Sequence, residues 1–105
     1  MQLNKRALSS IGLAMKSGNI ASGEFMTEKS VREGSAQLVI VAEDASDNTR
    51  KKFTNMCEYH HVPIRFFGDK DSLGYAIGKE FRASMAVVDQ GLAKLILKNI
   101  DSSSN

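Results

Sequence analysis

Five consecutive apolar residues near the centre of the chain, Leu38 to Ala42, limit the folds that it can adopt. The run is too short for an independent helix, and its middle residues are β-branched. An apolar run without polar alternation is typical of a strand buried on both faces, which requires helices on both sides of the sheet. Two acids and Ala-Ser-Asp-Asn follow, and such residues favour a helix start. The run therefore predicts a strand that leads into a helix within α/β/α layers.

Helix-like and strand-like segments alternate along the rest of the sequence. The predicted helices cover residues 3–17, 23–33, 47–60, 73–77 and 90–99, and the predicted strands cover residues 38–42, 64–67 and 85–88, with a short additional strand at Ile20. This alternation predicts an α/β fold, a three-layer α/β/α sandwich with a small mixed sheet of three to four strands. Residues 1–100 form one domain in this interpretation, and the polar residues 101–105 form a disordered tail.

Individual side chains mark the ends and the inner faces of these helices. Ser22 is the predicted N-cap of the second helix, and Ser46 or Asp44 is the predicted N-cap of the third. The spacing of apolar residues also turns His60 inward on the third helix and Leu95 inward on the last one.

The composition is that of a soluble globular protein, with 42% hydrophobic and 25% charged residues. A single cysteine, Cys57, excludes an internal disulfide and is typical of a reducing compartment. No apolar segment reaches membrane-spanning length, and the first residues lack the apolar stretch of a signal peptide, so we expect a cytoplasmic protein with no membrane partner. The net charge of +2 is compatible with nucleic-acid binding but does not require it.

Two carboxylates, Asp44 and Asp89, each follow a predicted buried strand. Ligands of open α/β sheets bind at the carboxyl ends of strands, and two carboxylates there would hold Mg²⁺ for phosphoryl chemistry. Capping of the following helices explains each residue on its own, and no glycine-rich phosphate loop follows either strand. Cys57, His60 and His61 offer too few ligands for a metal ion, and a buried, inert thiol explains Cys57.

A glycine and several cations precede the last strand. Gly74 lies inside a short helix, where glycine lowers stability, and this indicates a close neighbour, either a packed helix or an RNA backbone. The polar loop 79–84 follows and contains Lys79 and Arg82. Together with Lys29 and Lys70, these are ordinary solvated charges unless the fold brings them together.

Three motifs recur in a characteristic order. They are Gly23…Lys29…Gly34-x-Ala36-x-Leu38-Val39-Ile40-x-Ala42-Glu43-Asp44, then Cys57-Glu58…Val62-Pro63, then Lys70-x-x-Leu73-Gly74-x-Ala76-x-Gly78. Their order and spacing resemble the kink-turn RNA-binding ribosomal protein superfamily (archaeal and eukaryotic large-subunit seven-Ae type), and more narrowly its bacterial YlxQ-like branch. The resemblance covers Leu3 to Leu97 and implies an α/β/α sandwich without enzymatic activity, catalytic residues, cofactor or metal ion. It implies binding of a sharply bent RNA through the start of the second helix and the loop before the last strand.

Transferred residue by residue, the resemblance implies one RNA-binding surface. Gly23 would let the RNA backbone approach a helix N-terminus, and Lys29 would neutralise a phosphate or contact a base edge. The loop before the last strand would cover extruded bases. The expected RNA-binding residues are Gly23, Glu24, Phe25, Lys29, Ser46, Lys70, Lys79, Arg82, Ala83 and Ser84. The expected partners are structured RNA, ribosomal or kink-turn-like, and the ribosome, with the protein acting as a monomer.

The sequence departs from the family pattern at two positions of the second-helix motif. Where the family has Asn and Glu, which hydrogen-bond guanine edges, this chain has Phe25 and Met26, whose side chains cannot form those bonds. Phe25 either stacks on a base or is buried. Alternatively, Phe25 and Met26 form an apolar patch that binds a protein partner. The RNA-binding, protein-binding and phosphoryl-enzyme hypotheses therefore predict different surfaces: clustered cations, a contiguous apolar patch, or a pocket between two carboxylates.

Overall fold

The computed structural model describes residues 4–102 and contains, within them, five helices and one four-stranded sheet. The helices are α1 (Lys5–Lys16), α2 (Glu24–Glu33), α3 (Asp47–His60), α4 (Lys70–Ala76) and α5 (Gln90–Asp101). The strands are β1 (Ile20–Ser22), β2 (Leu38–Val41), β3 (Ile64–Phe66) and β4 (Ser84–Val87). The predicted α/β fold with a small mixed sheet is confirmed. No helix within the described residues combines the length and apolar character needed to cross a bilayer.

The sheet has the strand order β1-β4-β2-β3, in which β4 runs antiparallel to both of its neighbours and β3 runs parallel to β2. Every residue of β2 is buried, as the apolar run predicted. The carboxyl ends of β1, β2 and β3 consequently meet the amino end of β4 at one edge of the sheet. We call this edge the carboxyl edge.

Helices cover both faces of this sheet and complete the three layers. On one face α2 contacts α3, and on the other α1 contacts α4 and α5. The packing helices bury residues spaced three and four apart, such as Ala7, Ile11 and Ala14 on α1. These side chains and the strands form one hydrophobic core.

Three helix starts differ from the predicted ones because of local capping. Asn4 accepts a hydrogen bond from Ala7 N at 2.9 Å and starts α1 at Lys5, whereas the predicted start at Leu3 lies outside the described residues. Ser22, the predicted N-cap of the second helix, belongs to β1, and Gly23 is the N-cap. The carboxylate of Asp69 accepts from Ser72 N at 2.7 Å, and this cap starts α4 three residues earlier than predicted.

Two side chains predicted to face inward are exposed. His60 lies in the last turn of α3, where its ring contacts that of Tyr59 with centroids 4.9 Å apart. Leu95 is 40% exposed because it lies about 100° around α5 from Ile96, which is part of the buried stripe. A helical position beside an apolar stripe need not be inside it.

The last helix continues into the segment predicted to be a tail. Asp101 is its final residue, and its carboxylate accepts hydrogen bonds from Arg65 at 2.9 and 3.1 Å. These bonds lower the pKa of Asp101 and raise that of Arg65. Residues 103–105 of the predicted tail lie outside the described part of the chain.

Gly74 has the close neighbour that its position in a helix indicated, but the neighbour is the chain's own loop and not a packed helix. A Cβ atom at Gly74 would lie 1.4 Å from the carbonyl oxygen of Glu80. Lys79 N also donates to Gly74 O at 2.9 Å. Gly74 therefore determines how closely the loop before β4 approaches α4.

Replacing Gly74 with alanine is expected to lower the free energy of unfolding by roughly 1–3 kcal/mol, because the loop backbone must move away from the new methyl group. Urea denaturation measures this change. Gly91→Ala on α5 is the matched control, since its Cβ would meet only Asp89 Oδ2 at 3.4 Å, and it should cause no loss of stability. Equal stability of the Gly74→Ala and Gly91→Ala proteins would contradict the clash.

The Cys57 thiol is expected to be unreactive in the folded protein. It is 1% exposed, and burial raises its pKa to about 11. At pH 8 the thiolate fraction is then about a hundredfold smaller than for an exposed cysteine. Labelling with a disulfide reagent should be at least that much slower in buffer than in 8 M urea; equal rates would show that the thiol is accessible.

Candidate nucleic-acid interface

The loop before β4 lies beside the start of α2 and the end of β2. Gly23 N donates a hydrogen bond to Ser84 O at 2.9 Å, and Ala42 N donates to Ala83 O at 2.9 Å. These main-chain bonds extend the pairing of β4 with β1 and with β2 by one residue each at the carboxyl edge. The β1–α2 junction and the loop 77–83 are thereby held together.

The start of α4 is attached to the same edge by two further hydrogen bonds. The carboxylate of Asp44 accepts from Lys70 N at 2.9 Å, and Arg82 N donates to Lys70 O at 3.0 Å. Asp44 was one of two predicted caps for α3, the helix that follows it, but its side chain caps α4 instead. Four chain connections thus meet at the carboxyl edge: those of β1 with α2, β2 with α3, β3 with α4, and α4 with β4.

Helix α2 begins with an open N-terminus at this edge. Gly23 has φ 91° and ψ 163°, a backbone conformation that favours glycine, and no side chain in the described part of the protein caps the helix. The hydroxyl of Thr27 instead donates to Gly23 O at 2.6 Å and holds the first turn in place. The first N–H groups of the helix and the positive end of its dipole therefore face outward, where they suit an anion.

The outward side of α2 carries an aromatic ring and a cation one turn apart. Thr27, Ser30 and Val31 are buried, whereas Phe25 is 75% exposed and Lys29 is exposed. The only ion pair of Lys29 within the described residues is with Glu33 at 4.0 Å, and both side chains are largely in solvent. Such pairs contribute little to stability, so Lys29 is available to other anions.

The carboxylates on the flank of α2 that faces α3 form ion pairs with a lysine of α3. Lys52 Nζ donates to Glu24 Oε2 at 2.9 Å and also pairs with Glu28. These bonds lower the pKa of Glu28 and raise the pKa of Lys52. Glu24, one of the expected RNA contacts, is thus in an ion pair, and this flank of α2 repels an approaching polyanion less than its carboxylates suggest.

Loop 77–83 presents a second exposed ring, which sequence reasoning did not select. Phe81 is 60% exposed, and Lys70 Nζ lies 5.9 Å from the centre of its ring. Arg82 follows it directly and donates to Phe81 O at 2.9 Å, while Lys79 is exposed. A phenylalanine between charged residues in a polar loop was the available signal.

The remaining expected residues have mainly structural roles at this edge. Ser84 belongs to β4 and not to the loop, and it is 1% exposed with a hydroxyl that has no hydrogen-bond partner among residues 4–102. Ala83 is half-buried. Ser46 is the N-cap of α3, and its hydroxyl oxygen accepts from Thr49 N at 3.2 Å.

Arg50 is a further cation at the carboxyl edge. Its guanidinium donates to Glu43 O at 2.8 Å and lies 4.7 Å from the centre of the Phe66 ring. The run Arg50-Lys51-Lys52 is basic, but the sequence does not show which of these cations reaches the edge.

The carboxylates of the proposed magnesium site do not meet. Because β4 is antiparallel to β2, Asp44 and Asp89 follow strands that end at opposite edges of the sheet. Asp89 is the N-cap of α5 and accepts from Leu92 N at 2.8 Å. Within the described residues there is no group of three or more histidine, cysteine, aspartate or glutamate residues arranged to hold a metal ion.

We call the solvent-facing side of Gly23, Phe25, Lys29, Lys70 and loop 77–83 the edge surface. It combines an open helix terminus, exposed cations and two exposed rings on a rigid frame. The structure therefore brings most of the residues expected from the sequence to the carboxyl edge, adds Phe81 to the edge surface, and places Arg50 elsewhere on the same edge.

Several proteins are similar to this chain along most of its length. The RNA-binding protein YlxQ of Bacillus subtilis (strain 168) is 42% identical over 91 residues, which cover 87% of this chain and 91% of the relative. The large ribosomal subunit protein eL8 of Thermoplasma volcanium is 31% identical over 101 residues, covering 95% of this chain and 84% of the relative.

Solved structures show the same architecture. A protein of unknown function from Bacillus halodurans C superposes with a TM-score of 0.89 at 34% identity, covering 91% of this chain and 97% of the other. The 15.5kD RNA binding protein of Giardia lamblia shares the fold, with a TM-score of 0.78 at 24% identity over 93% of this chain and 84% of the other. Residues 5–97 match one protein family. The resemblance seen in the motifs is confirmed, and the chain belongs to the ribosomal protein L7Ae/L30e/S12e/Gadd45 family.

Proposed function

We propose that this protein binds structured RNA through the edge surface and acts in association with the ribosome. The observation that carries the proposal is the convergence of four chain connections at the carboxyl edge, which puts Gly23, Lys70 and Arg82 within a few hydrogen bonds of one another. The names of its relatives support it, since they are an RNA-binding protein and a ribosomal protein.

The charges of the edge surface suit a phosphate backbone. Lys29 and Lys79 extend into solvent, Lys70 Nζ lies 5.9 Å from the centre of the Phe81 ring, and Arg82 donates to the main-chain oxygen of Phe81. Phosphate contacts by such side chains release counterions, and binding then weakens as salt concentration rises. Because α2 is capped by glycine and not by a side chain, a phosphate can also approach its N–H groups directly.

The shape of the surface favours a bent RNA over a straight helix. The contacts come from α2 on one side and from loop 77–83 on the other, with the buried start of β4 between them. A bend or kink-turn-like element presents two backbone segments and splayed bases to such a surface. Since Phe25 and Met26 cannot hydrogen-bond guanine edges, recognition here rests on backbone position, RNA shape and contact with base faces.

A protein-binding role is the second candidate, because Phe25 and Met26 are 75% and 43% exposed. Ion pairs of Glu24 with Lys52 and of Lys29 with Glu33 border these side chains, so the apolar area is small and interrupted. RNA is therefore favoured over a protein partner. We further propose that the protein acts as a cytoplasmic monomer and has no catalytic activity of its own.

The first test is a binding titration by fluorescence anisotropy with a consensus kink-turn RNA and a matched straight duplex, each at two salt concentrations. We expect a preference for the bent RNA and weaker binding at higher salt. Lys70→Ala and Lys29→Ala should each weaken binding and reduce the slope of log K against log salt by about 1, because each removes a phosphate contact.

Lys16→Ala is the matched control, since Lys16 is exposed and ends α1 near the opposite edge of the sheet. It should leave both the affinity and the salt slope unchanged. Weak binding of equal strength to both RNAs would refute the preference for bent RNA. No binding to either RNA would refute the proposed function and favour the protein-binding role.

A further inference from the structure

We infer that the ring of Phe25 is a stacking platform for an unpaired base, so that the edge surface selects structured RNAs carrying an unpaired nucleotide next to α2. This inference rests on the proposed function. It assigns the edge surface a ligand class, an aromatic base face together with its phosphate, where hydrogen bonding to a base edge is unavailable.

The first observation is the exposure of Phe25. At 75% it is among the most exposed large hydrophobic side chains of residues 4–102, and it faces away from the buried side of α2. Leaving a phenylalanine ring in water forgoes the stabilisation that burial would give. A ring in this position does not contribute to the core and is free to contact a ligand.

The second observation is that the backbone under this ring is held rigidly. Thr27 donates both its N–H and its hydroxyl to Gly23 O, at 2.9 and 2.6 Å, and Gly23 N donates to Ser84 O at 2.9 Å. The first turn of α2 is thus attached to the end of a buried strand. A base that stacks on Phe25 meets a ring with few rotatable bonds on a fixed backbone, which reduces the entropy lost on binding.

The third observation is the pairing of a ring with a cation. Lys29 lies four residues after Phe25, so the two side chains are neighbours on the helix surface. A nucleotide offers an aromatic face and a phosphate a few bonds apart, and this spacing fits a ring and a cation one turn apart. The same combination recurs in loop 77–83, where Lys70 Nζ lies 5.9 Å from the Phe81 ring.

The surroundings of Phe25 favour a base over an apolar protein surface. Its exposed apolar neighbour on α2 is Met26, and the rest of the accessible helix surface carries Glu24, Glu28, Lys29, Arg32 and Glu33. A protein partner would have to desolvate these charges to reach the ring. A single nucleotide covers the ring and leaves the Glu24–Lys52 and Glu28–Arg32 ion pairs in solvent.

Abasic nucleotides separate base stacking from phosphate contacts. The probes are the consensus kink-turn RNA and the same RNA with its unpaired bases removed and its backbone intact. We expect the wild-type protein to bind the abasic RNA about 5- to 150-fold more weakly, which is the loss that follows if one of the removed bases stacks on Phe25. Phe25→Ala should bind both RNAs with equal, reduced affinity, and Phe25→Trp should restore the discrimination.

Two further variants test whether the effect belongs to the Phe25 ring. Phe25→Leu keeps apolar area but has no ring, so it should behave as Phe25→Ala does; full discrimination by this variant would overturn stacking. Retained discrimination in Phe25→Ala with loss in Phe81→Ala would assign the base to the loop and overturn the inference. Thermal unfolding temperatures of all variants should match the wild type, since the side chain is exposed.

The failure of this inference differs from the failure of the proposed function. If the wild-type protein binds both bent RNAs equally and Lys70→Ala weakens both, the protein binds RNA without stacking on Phe25. If the wild-type protein binds neither bent RNA better than a straight duplex, recognition of bent RNA itself is refuted, and with it the role of Phe25.

Discussion

The direction of β4 determines where every other part of the edge surface lies. Because β4 is inserted antiparallel between β1 and β2, the loop that precedes it arrives at the edge where its neighbours end. Main-chain hydrogen bonds from Gly23 to Ser84 and from Ala42 to Ala83 then hold that loop against α2 and β2. A parallel β4 would put the loop at the opposite edge and would bring Asp89 towards Asp44, as the magnesium hypothesis required.

Strand direction is also the point at which sequence reasoning was weakest. A buried run such as Leu38 to Ala42 shows that both faces of a strand are covered, but burial is the same in parallel and antiparallel neighbours. The sequence therefore predicted the layers correctly and left the carboxylate pair open as a metal site. Some helix starts were also predicted at the wrong residue. Asn4 and Asp69 cap helices, but many polar residues in a sequence could do so, and the sequence does not show which of them does.

The candidate site was predictable where a residue type imposes a backbone constraint. Gly74 indicated a close neighbour, and a Cβ atom there would meet Glu80 O at 1.4 Å. Exposed side chains were harder to predict, because exposure depends on packing between distant segments. Neither the 75% exposure of Phe25 nor the position of Phe81 beside Lys70 follows from the local sequence pattern. The composition also could not show that a main-chain hydrogen bond connects Arg82 to Lys70.

Main-chain atoms position the edge surface, whereas exposed side chains are the groups that would contact a ligand. Ala42, Ala83 and Ser84 hold the connections together through main-chain groups, so this geometry does not depend on their side-chain chemistry. Phe25 and Lys29 project from the frame and contribute little to it. Replacing a polar residue by phenylalanine on the outward side of α2 can therefore change what the surface contacts while the sheet edge stays as it is. Binding specificity in such a fold can change by single exposed substitutions, because the interactions that position the surface are not the ones that meet the ligand.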